Sequence, residues 1–199
     1  MGSDKALLPW PRVATGVPLS SETFVSAAIR ALSSFTDQVV VVAGNNEGTL
    51  APAVYAAGGS LVRNPAPALG QFSSLRVGLR EVLNLGRDAA MITLVDRPPA
   101  GAAALETLRS AFESASSGVW AVVPDYKGRH GHPFLAGREM IEAFLKALPT
   151  ATAREVEHQH QEHISYIAVD DPHVAMNVNT PGDYAALSNP QAAMIPPQA

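Results

Sequence analysis

The chain has 199 residues, a formal charge of −4 and no cysteine. The missing cysteines exclude disulfides, thiolate metal sites and cysteine nucleophiles, leaving any metal to oxygen or imidazole ligands and pointing to Mg²⁺ or Mn²⁺. The 14 Lys and Arg are scattered, which argues against a nucleic-acid surface, and the longest apolar run, Val39 to Ala43, falls far short of the ~20 residues that cross a bilayer.

In chain order, the opening "MGSDKALLPW" runs into apolar residues with no cationic patch and h-region before them, so no secretory signal and a cytoplasmic setting are expected. A helix is predicted from Glu22 to Phe35, capped by Ser20 or Ser21, with Phe24, Ala27, Ala28, Ala31 and Leu32 facing inward. "DQVVVVAG" and "GSLVRN" read as strands, and a helix starting at Ser73 carries Leu75, Leu79, Val82 and Leu83. A third strand, "AAMITLVD", is followed by a helix from Ala102 to Ser114, and a fourth is "GVWAVVPD". "YKGRHGHPFLAG" is full of loop formers; a helix from Arg138 to Leu148 and a late strand, "HISYIAVDD", come after it. Residues 1–188 are expected to form one domain, and the tail 189–199, with three prolines, a flexible extension.

Unbroken apolar strands alternating with helices predict a mostly parallel α/β sheet covered on both faces, with right-handed crossovers. Such a sheet binds ligands beyond the carboxyl ends of its strands, at residues 44–46, 64–74, 96–98 and 125–133 here. Asp96 leaves the third strand in "LVDRPP", where its carboxylate suits Mg²⁺ and equally a helix cap or turn. Gly70 with Ser73 and Ser74 opens a helix whose first-turn donors can hold an anion or the edge of a base, or simply be capped. Arg129, His130 and His132 surround Gly131 in a loop read as positioning a substrate anion through Arg129. His158, His160 and His163 in "HQHQEH" look like a metal tract, but a solvated face is the preferred reading, with His158 and His160 on one side of a strand-like stretch. Asn177 and Asn179 alternate in an extended segment before a short helix opened by Thr180 and Pro181, so their carbonyls are either metal ligands or caps. Lys5 supplies positive charge for a phosphate. An acid, an amide oxygen and a lysine in this order suit phosphoryl chemistry, in which positioning and charge neutralisation supply most of the catalysis.

The segments "MGSDKALLP", "VVVVAGN", "NPAPALGQFSSLRVGL", "LVDRPP", "YKGRHGHPFLAG" and "NVNTPGDYAAL" resemble, in the same order, those of MobA-like NTP transferases, in particular the molybdenum-cofactor nucleotidyltransferases. The resemblance, from Met1 to about Leu187, implies a three-layer αβα, Rossmann-like fold of the nucleotide-diphospho-sugar transferase type. It also implies transfer of a nucleoside monophosphate from CTP or GTP to a phosphorylated acceptor such as molybdopterin, with Mg²⁺ (or Mn²⁺) bound and pyrophosphate released. By matching position, Lys5 and Asp96 would be catalytic, Lys5, Gly44, Gly70, Ser74 and Asp96 would bind nucleotide, and Asp96 with Asn179, or less well Asn177, would hold the metal. Arg129, His130 and His132 would face the acceptor. "GQFSSLRVGL" and "GRHGHPFL" look more like the cytidylyltransferase branch and "NVNTP" more like the guanylyltransferase branch, so both bases stay open.

The resemblance further implies an apolar first strand and a glycine-rich phosphate turn ahead of the Met1-Gly2 motif, both missing from this sequence, and the expected reason is a translation start assigned too late. A remnant that binds nucleotide or a partner without catalysis, and a transferase acting on sugar or alcohol phosphates, are the alternative readings.

Overall fold

The computed structural model describes residues 4–10 and 22–188. A 3₁₀ turn over Lys5–Leu7, capped by the Asp4 side chain, leads to Pro9, which forms a bridge with Thr23. Helix α1 (Phe24–Ser33) starts there because Thr23 and Ser26 exchange side-chain and backbone hydrogen bonds in a capping box; it buries Phe24, Val25, Ala27, Ile29 and Leu32. The expected caps Ser20 and Ser21 lie outside the described residues. Ala28 and Ala31 are only half-buried, because the inward face is centred on Val25 and Ile29 instead.

Strand β1 (Val40–Ala43), helix α2 (Glu47–Ala56) and strand β2 (Ser60–Arg63) make one βαβ unit. The two strands are parallel, with Val40 opposite Ser60 and Ala43 opposite Arg63. Helix α2 was not anticipated in the sequence because Gly48 and Pro52 interrupt its pattern. Pro52 falls in its second turn, and Leu50 and Val54 pack with Val25, Ile29 and Ala43. Helix α3 (Gln71–Asn84) follows, with Ser73 inside its first turn and not at its start, and then strand β3 (Ala89–Ile92) and helix α4 (Ala102–Glu113).

The second half departs from a parallel sheet. Strand β4 (Ala121–Tyr126) turns through Lys127 and Gly128, both with positive φ, into the short strand β5 (Arg129–His130) and then β6 (Phe134–Gly137). The segment read as a loop therefore contains a hairpin and a fully buried strand. β6 runs antiparallel to both β3 and β4, with Ile92 opposite Phe134 and Ala121 opposite Ala136. The sequence reading failed because Gly, His and Pro dominate the stretch, while the apolar part, "FLAG", is only four residues long. Helices α5 (Arg138–Lys146) and α6 (Ala153–Gln159) precede β7 (Ile164–Ala168), which pairs parallel with β4. The histidine tract is the end of α6 and a 3₁₀ turn, not a strand: His163 stacks on Trp120 at 3.8 Å between ring centroids, His160 lies 5.2 Å from the same ring, and His158 is exposed. Helix α7 (Pro181–Ser188) comes last, as expected from Thr180 and Pro181.

Among the described residues the strands form two separate sheets, β1–β2 and a five-stranded sheet in which β3, β6 and β4 are neighbours and β4 also pairs with β5 and β7. The apolar run of β1 was expected to be covered completely. Val40, Val41 and Val42 are instead half-buried, because the edge of β1 away from β2 borders an open cavity of about 890 Å³ whose opposite wall is β3.

Gly131, between β5 and β6, lies against the 3₁₀ turn Pro172–Ala175, and a Cβ there would stand 1.8 Å from the Val174 carbonyl oxygen. Backbone on both sides leaves that overlap no side chain to displace. Gly131→Ala is expected to cost about 3 kcal/mol or more, read as a drop in the urea midpoint, with Gly128→Ala as the milder strained-turn control.

Candidate active site

Three parts of the chain meet where β1 and β3 end. Asp96 lies four residues beyond β3, in a turn closed by Arg97 N–H donating to Leu94 C=O at 3.1 Å. Its own carbonyl accepts from Val178 N–H at 2.9 Å, which brings the segment before α7 alongside. Val178 is buried while Asn177 and Asn179 on either side are exposed, the alternation expected of an extended stretch. From the other end of the chain, Lys5 Nζ donates to Asn179 Oδ1 at 3.2 Å.

Asn179 is held from behind. Asp183 accepts from Asn179 N–H at 2.9 Å and Thr180 N–H at 2.7 Å, and Thr180 Oγ1 accepts from Asp183 N–H, so the cap of α7 fixes the asparagine. Those hydrogen bonds, from Thr180 first and then Asn179, together with the nearby Lys5 charge, hold the Asp183 carboxyl below the usual carboxylate range. Asn177 makes no hydrogen bond with a described residue and stands apart from this set.

The half-buried carboxylate of Asp96 accepts no hydrogen bond from any described residue, and its electrostatic neighbour is Arg97. The donor-free Asp96 carboxylate and the Asn179 carboxamide oxygen, on the segment that runs alongside, are both hard oxygen donors, chemistry that fits Mg²⁺ or Mn²⁺ completed by phosphate oxygens and water. No cluster of three or more His, Asp or Glu side chains suited to a metal occurs among the described residues.

In the loop at residues 64–74, sequence reasoning missed the organising residue. Asn64, only 2% exposed, follows β2. Its Nδ2 donates to Ser73 Oγ at 2.8 Å and Ser74 Oγ at 3.0 Å, and its Oδ1 accepts from Ala66 N–H at 2.9 Å. One side chain thus ties the 64–74 loop to the first turn of α3. Gly70 adopts φ 86°, a region that favours glycine, and its carbonyl accepts from Ser73 Oγ at 2.7 Å. Gly44 has a packing role: a Cβ there would stand 3.1 Å from Pro67 Cβ, and its N–H already donates to Asn46 Oδ1. Asn46 in turn donates to Asp4 Oδ2, linking the end of β1 to the turn that carries Lys5. Of the sequence-derived residues, Lys5, Ser74 and Asp96 line the large cavity, at the end where the strands stop.

The acceptor candidates separate. Arg129 Nη2 donates to Ala175 C=O at 2.9 Å and His132 N–H to Val174 C=O at 2.8 Å. Arg97, another residue the sequence reading passed over, reaches Val174 C=O with Nη1 at 3.4 Å, leaving its buried Nε without a described partner. Arg97, Arg129 and His132 therefore gather on the turn at residues 174–175. His130 does not join them: its ring stacks on Tyr166 at 4.0 Å and faces Asp125 at 3.5 Å. Burial, and then the Arg97 charge, push the His132 imidazole down to about 4, so it is neutral at pH 7.

The MobA-like NTP transferase domain matches residues 1–164. The chain belongs to the MobA-like NTP transferase family. Comparison with curated proteins finds no match. Solved structures similar to this MobA-like transferase include a nucleotidyl transferase from Methanothermobacter (Mth528), at 21% identity over 96% of this chain and 86% of that one, with TM-score 0.73. Rv0371c of Mycobacterium tuberculosis, solved in complex with manganese, is 22% identical over 92% of this chain and 90% of that one, with TM-score 0.69. Molybdopterin-guanine dinucleotide biosynthesis protein A of Archaeoglobus fulgidus is 15% identical over 97% and 93%, with TM-score 0.64. The expected α/β fold of nucleotide-diphospho-sugar transferase type is borne out, and the chain is a nucleotidyltransferase by family.

Replacing Asn64 by Ala removes the donor to the Ser73 and Ser74 hydroxyls and the acceptor of the Ala66 N–H, at a position that is itself buried. A loss of about 1–3 kcal/mol in denaturant unfolding is expected, with faster amide exchange at residues 64–74. For His132 the depressed folded value means that the unfolded chain binds the extra proton. Its contribution is complete above pH 6.5, its ordinary value, and is lost as pH falls toward 4. Unfolding stability should decline by up to about 1.4 kcal/mol per pH unit across that window, and His132→Gln should remove that slope.

Proposed function

We propose that this transferase moves a nucleoside monophosphate from CTP or GTP to the phosphate of a molybdopterin-type acceptor in the cytoplasm, using Mg²⁺ or Mn²⁺. The reading is supported chiefly by the convergence of Lys5, Asp96 and Asn179 at the carboxyl ends of β1 and β3, with the Asp96 carboxylate unpartnered among the described residues. In this reading an oxygen of the acceptor phosphate attacks the α-phosphorus of the NTP. The bond between that phosphorus and the oxygen bridging to the β-phosphorus breaks, and pyrophosphate leaves with the electron pair. The attacking phosphate oxygen is already ionised and the bridging oxygen departs as a terminal oxygen of pyrophosphate, so no side chain has to take up a proton.

The residues then position and neutralise. Lys5 can exchange the Asn179 amide for a phosphate oxygen and offset charge on the departing pyrophosphate. Asp96 and Asn179 would hold the divalent cation, which when bound neutralises and orients phosphate oxygens. Gly70 and Ser74 would meet the base or ribose at the start of α3. Arg97 and Arg129, beside the neutral His132, would receive the acceptor's anionic group.

Pyrophosphate release with CTP and GTP, each with molybdopterin, tests the proposal and chooses the base. Asp96→Ala should lower the rate by about 10²–10³-fold or more while the unfolding midpoint stays close to that of the parent, and chelation of divalent cations should abolish turnover. Metal-independent nucleotide binding with no pyrophosphate release under any of these conditions would leave a binding protein and refute the catalytic reading.

A further inference from the structure

Lys5 carries its charge on a flexible four-carbon stem, so the place its ammonium reaches is set by what holds the turn beneath it. On one side that turn is anchored to β1, α1 and α2. Asp4 Oδ2 accepts from Asn46 Nδ2 just beyond β1, and the buried Ala6 belongs to the same apolar cluster as Val25, Ile29 and Val54. The strap that follows, residues 8–10, lies along the start of α1: Leu8 C=O accepts from Phe24 N–H at 3.0 Å and Trp10 N–H donates to Glu22 C=O at 2.7 Å. None of these contacts involves the segment that carries Asn179.

Among the described residues, two hydrogen bonds join positions 4–10 to positions 176–188. One is the bond from Lys5 Nζ to Asn179 Oδ1. The other runs from the Tyr184 hydroxyl to Pro9 C=O at 2.7 Å, the ordinary length of a strong hydroxyl-to-carbonyl bond. The bridge with Thr23 uses the Leu8 carbonyl and the Trp10 N–H, which leaves the Pro9 carbonyl between them to α7. Tyr184 follows directly on Asp183, whose carboxylate accepts from the Asn179 and Thr180 N–H groups. Two consecutive residues in the first turn of α7 thus fix the two halves of the pair: Asp183 the backbone of Asn179, and Tyr184 the strap behind Lys5. The tyrosine ring is itself held. Its centroid lies 6.0 Å from that of Phe24, which is buried and meets Trp10 edge-on at 5.0 Å. A ring seated against aromatic neighbours carries its hydroxyl as a fixed polar handle.

We infer that Tyr184 is a positioning residue for the reaction proposed above: its hydroxyl holds the strap against α7, so that the Lys5 ammonium and the Asn179 carboxamide stay within reach of one another and of the same phosphate. The inference rests on that reading for the role of Lys5, and on geometry alone for the contact. The effect of Tyr184 passes through Pro9 and the turn over Lys5–Leu7. Losing the hydroxyl while the ring stays in place frees the strap to shift by the fraction of an ångström that matters when a charge must meet a phosphate oxygen.

Tyr184→Phe, which keeps the ring and deletes the hydroxyl, tests this with two readouts. In NMR spectra the side-chain amide resonance of Asn179 reports its contact with Lys5, and Lys5→Met defines the signal without that contact. Tyr184→Phe should move the resonance toward its Lys5→Met position while the thermal midpoint stays near that of the parent. In pyrophosphate release, kcat should fall about 5–20-fold with KM for the nucleotide nearly unchanged, and in the Lys5→Met background the same substitution should cost about twofold or less. A resonance unmoved by Tyr184→Phe, full activity in that variant, or an equal loss of kcat with and without Lys5 would overturn the inference, the last by showing a purely structural role. Absence of pyrophosphate release by the parent with either nucleotide would instead bring down the transferase reading, and the Asn179 resonance would still decide whether Tyr184 holds the two residues together.

Discussion

The hydrogen bond from Val178 N–H to Asp96 C=O is the constraint on which the site depends. It ties the middle of the chain to a segment more than eighty positions later, and it does so through backbone, so it fixes the course of both segments whatever their side chains do. Asn179 is then the next residue along, its orientation set by the cap that Asp183 and Thr180 provide to α7. Lys5 closes the arrangement from the amino end. Three residues far apart in sequence thus reach one place through a backbone bond, a helix cap and one side-chain hydrogen bond.

The same logic of backbone contacts shapes the neighbouring turn. The carbonyls of Val174 and Ala175 accept from Arg97, Arg129 and the His132 N–H, and only a glycine at 131 allows the hairpin to lie that close. Carbonyl oxygens gather the cations here in place of carboxylates. The guanidinium groups keep their charge while spending few of their donors, which suits an anion-binding surface. Burial keeps His132 neutral beside them, so it adds no further positive charge next to Arg97, whose pKa is lowered first by desolvation and then by the Arg129 charge, against the opposing pull of Asp96.

The two-sheet arrangement follows from unpaired edges. β1 has one partner, β2, and β3 has one partner, β6, while helices α1 and α3 cover the space between. A valine run suited to the interior of a sheet ends up half-buried because its second neighbour is a cavity. Lys5, Ser74 and Asp96 line the end of this same cavity where the strands stop, so the candidate site borders the unpaired edges.

The order of elements was legible from residue pattern alone: apolar runs at 40–43, 60–63 and 164–168 formed strands, and amphipathic spacing formed α1, α3, α4 and α5. Lys5, Asp96 and Asn179 stood out through a resemblance in motif order; the family match covers the first two and ends before Asn179, and the roles of all three stay with the proposal. Pattern could not reveal β6, whose four apolar residues look like the end of a loop until β3 and β4 flank them. Nor could it single out Asn64 or Arg97, ordinary polar residues in sequence that become consequential when burial removes water and leaves specific partners. His130 and His132 are alike in sequence and two residues apart, yet one stacks on Tyr166 and the other is buried near Arg97. Local propensity and periodicity determined where strands and helices form, because those depend on neighbours along the chain. Which strands pair, which polar groups lose water and which side chains converge depend on segments remote in sequence, and only the tertiary structure decided them.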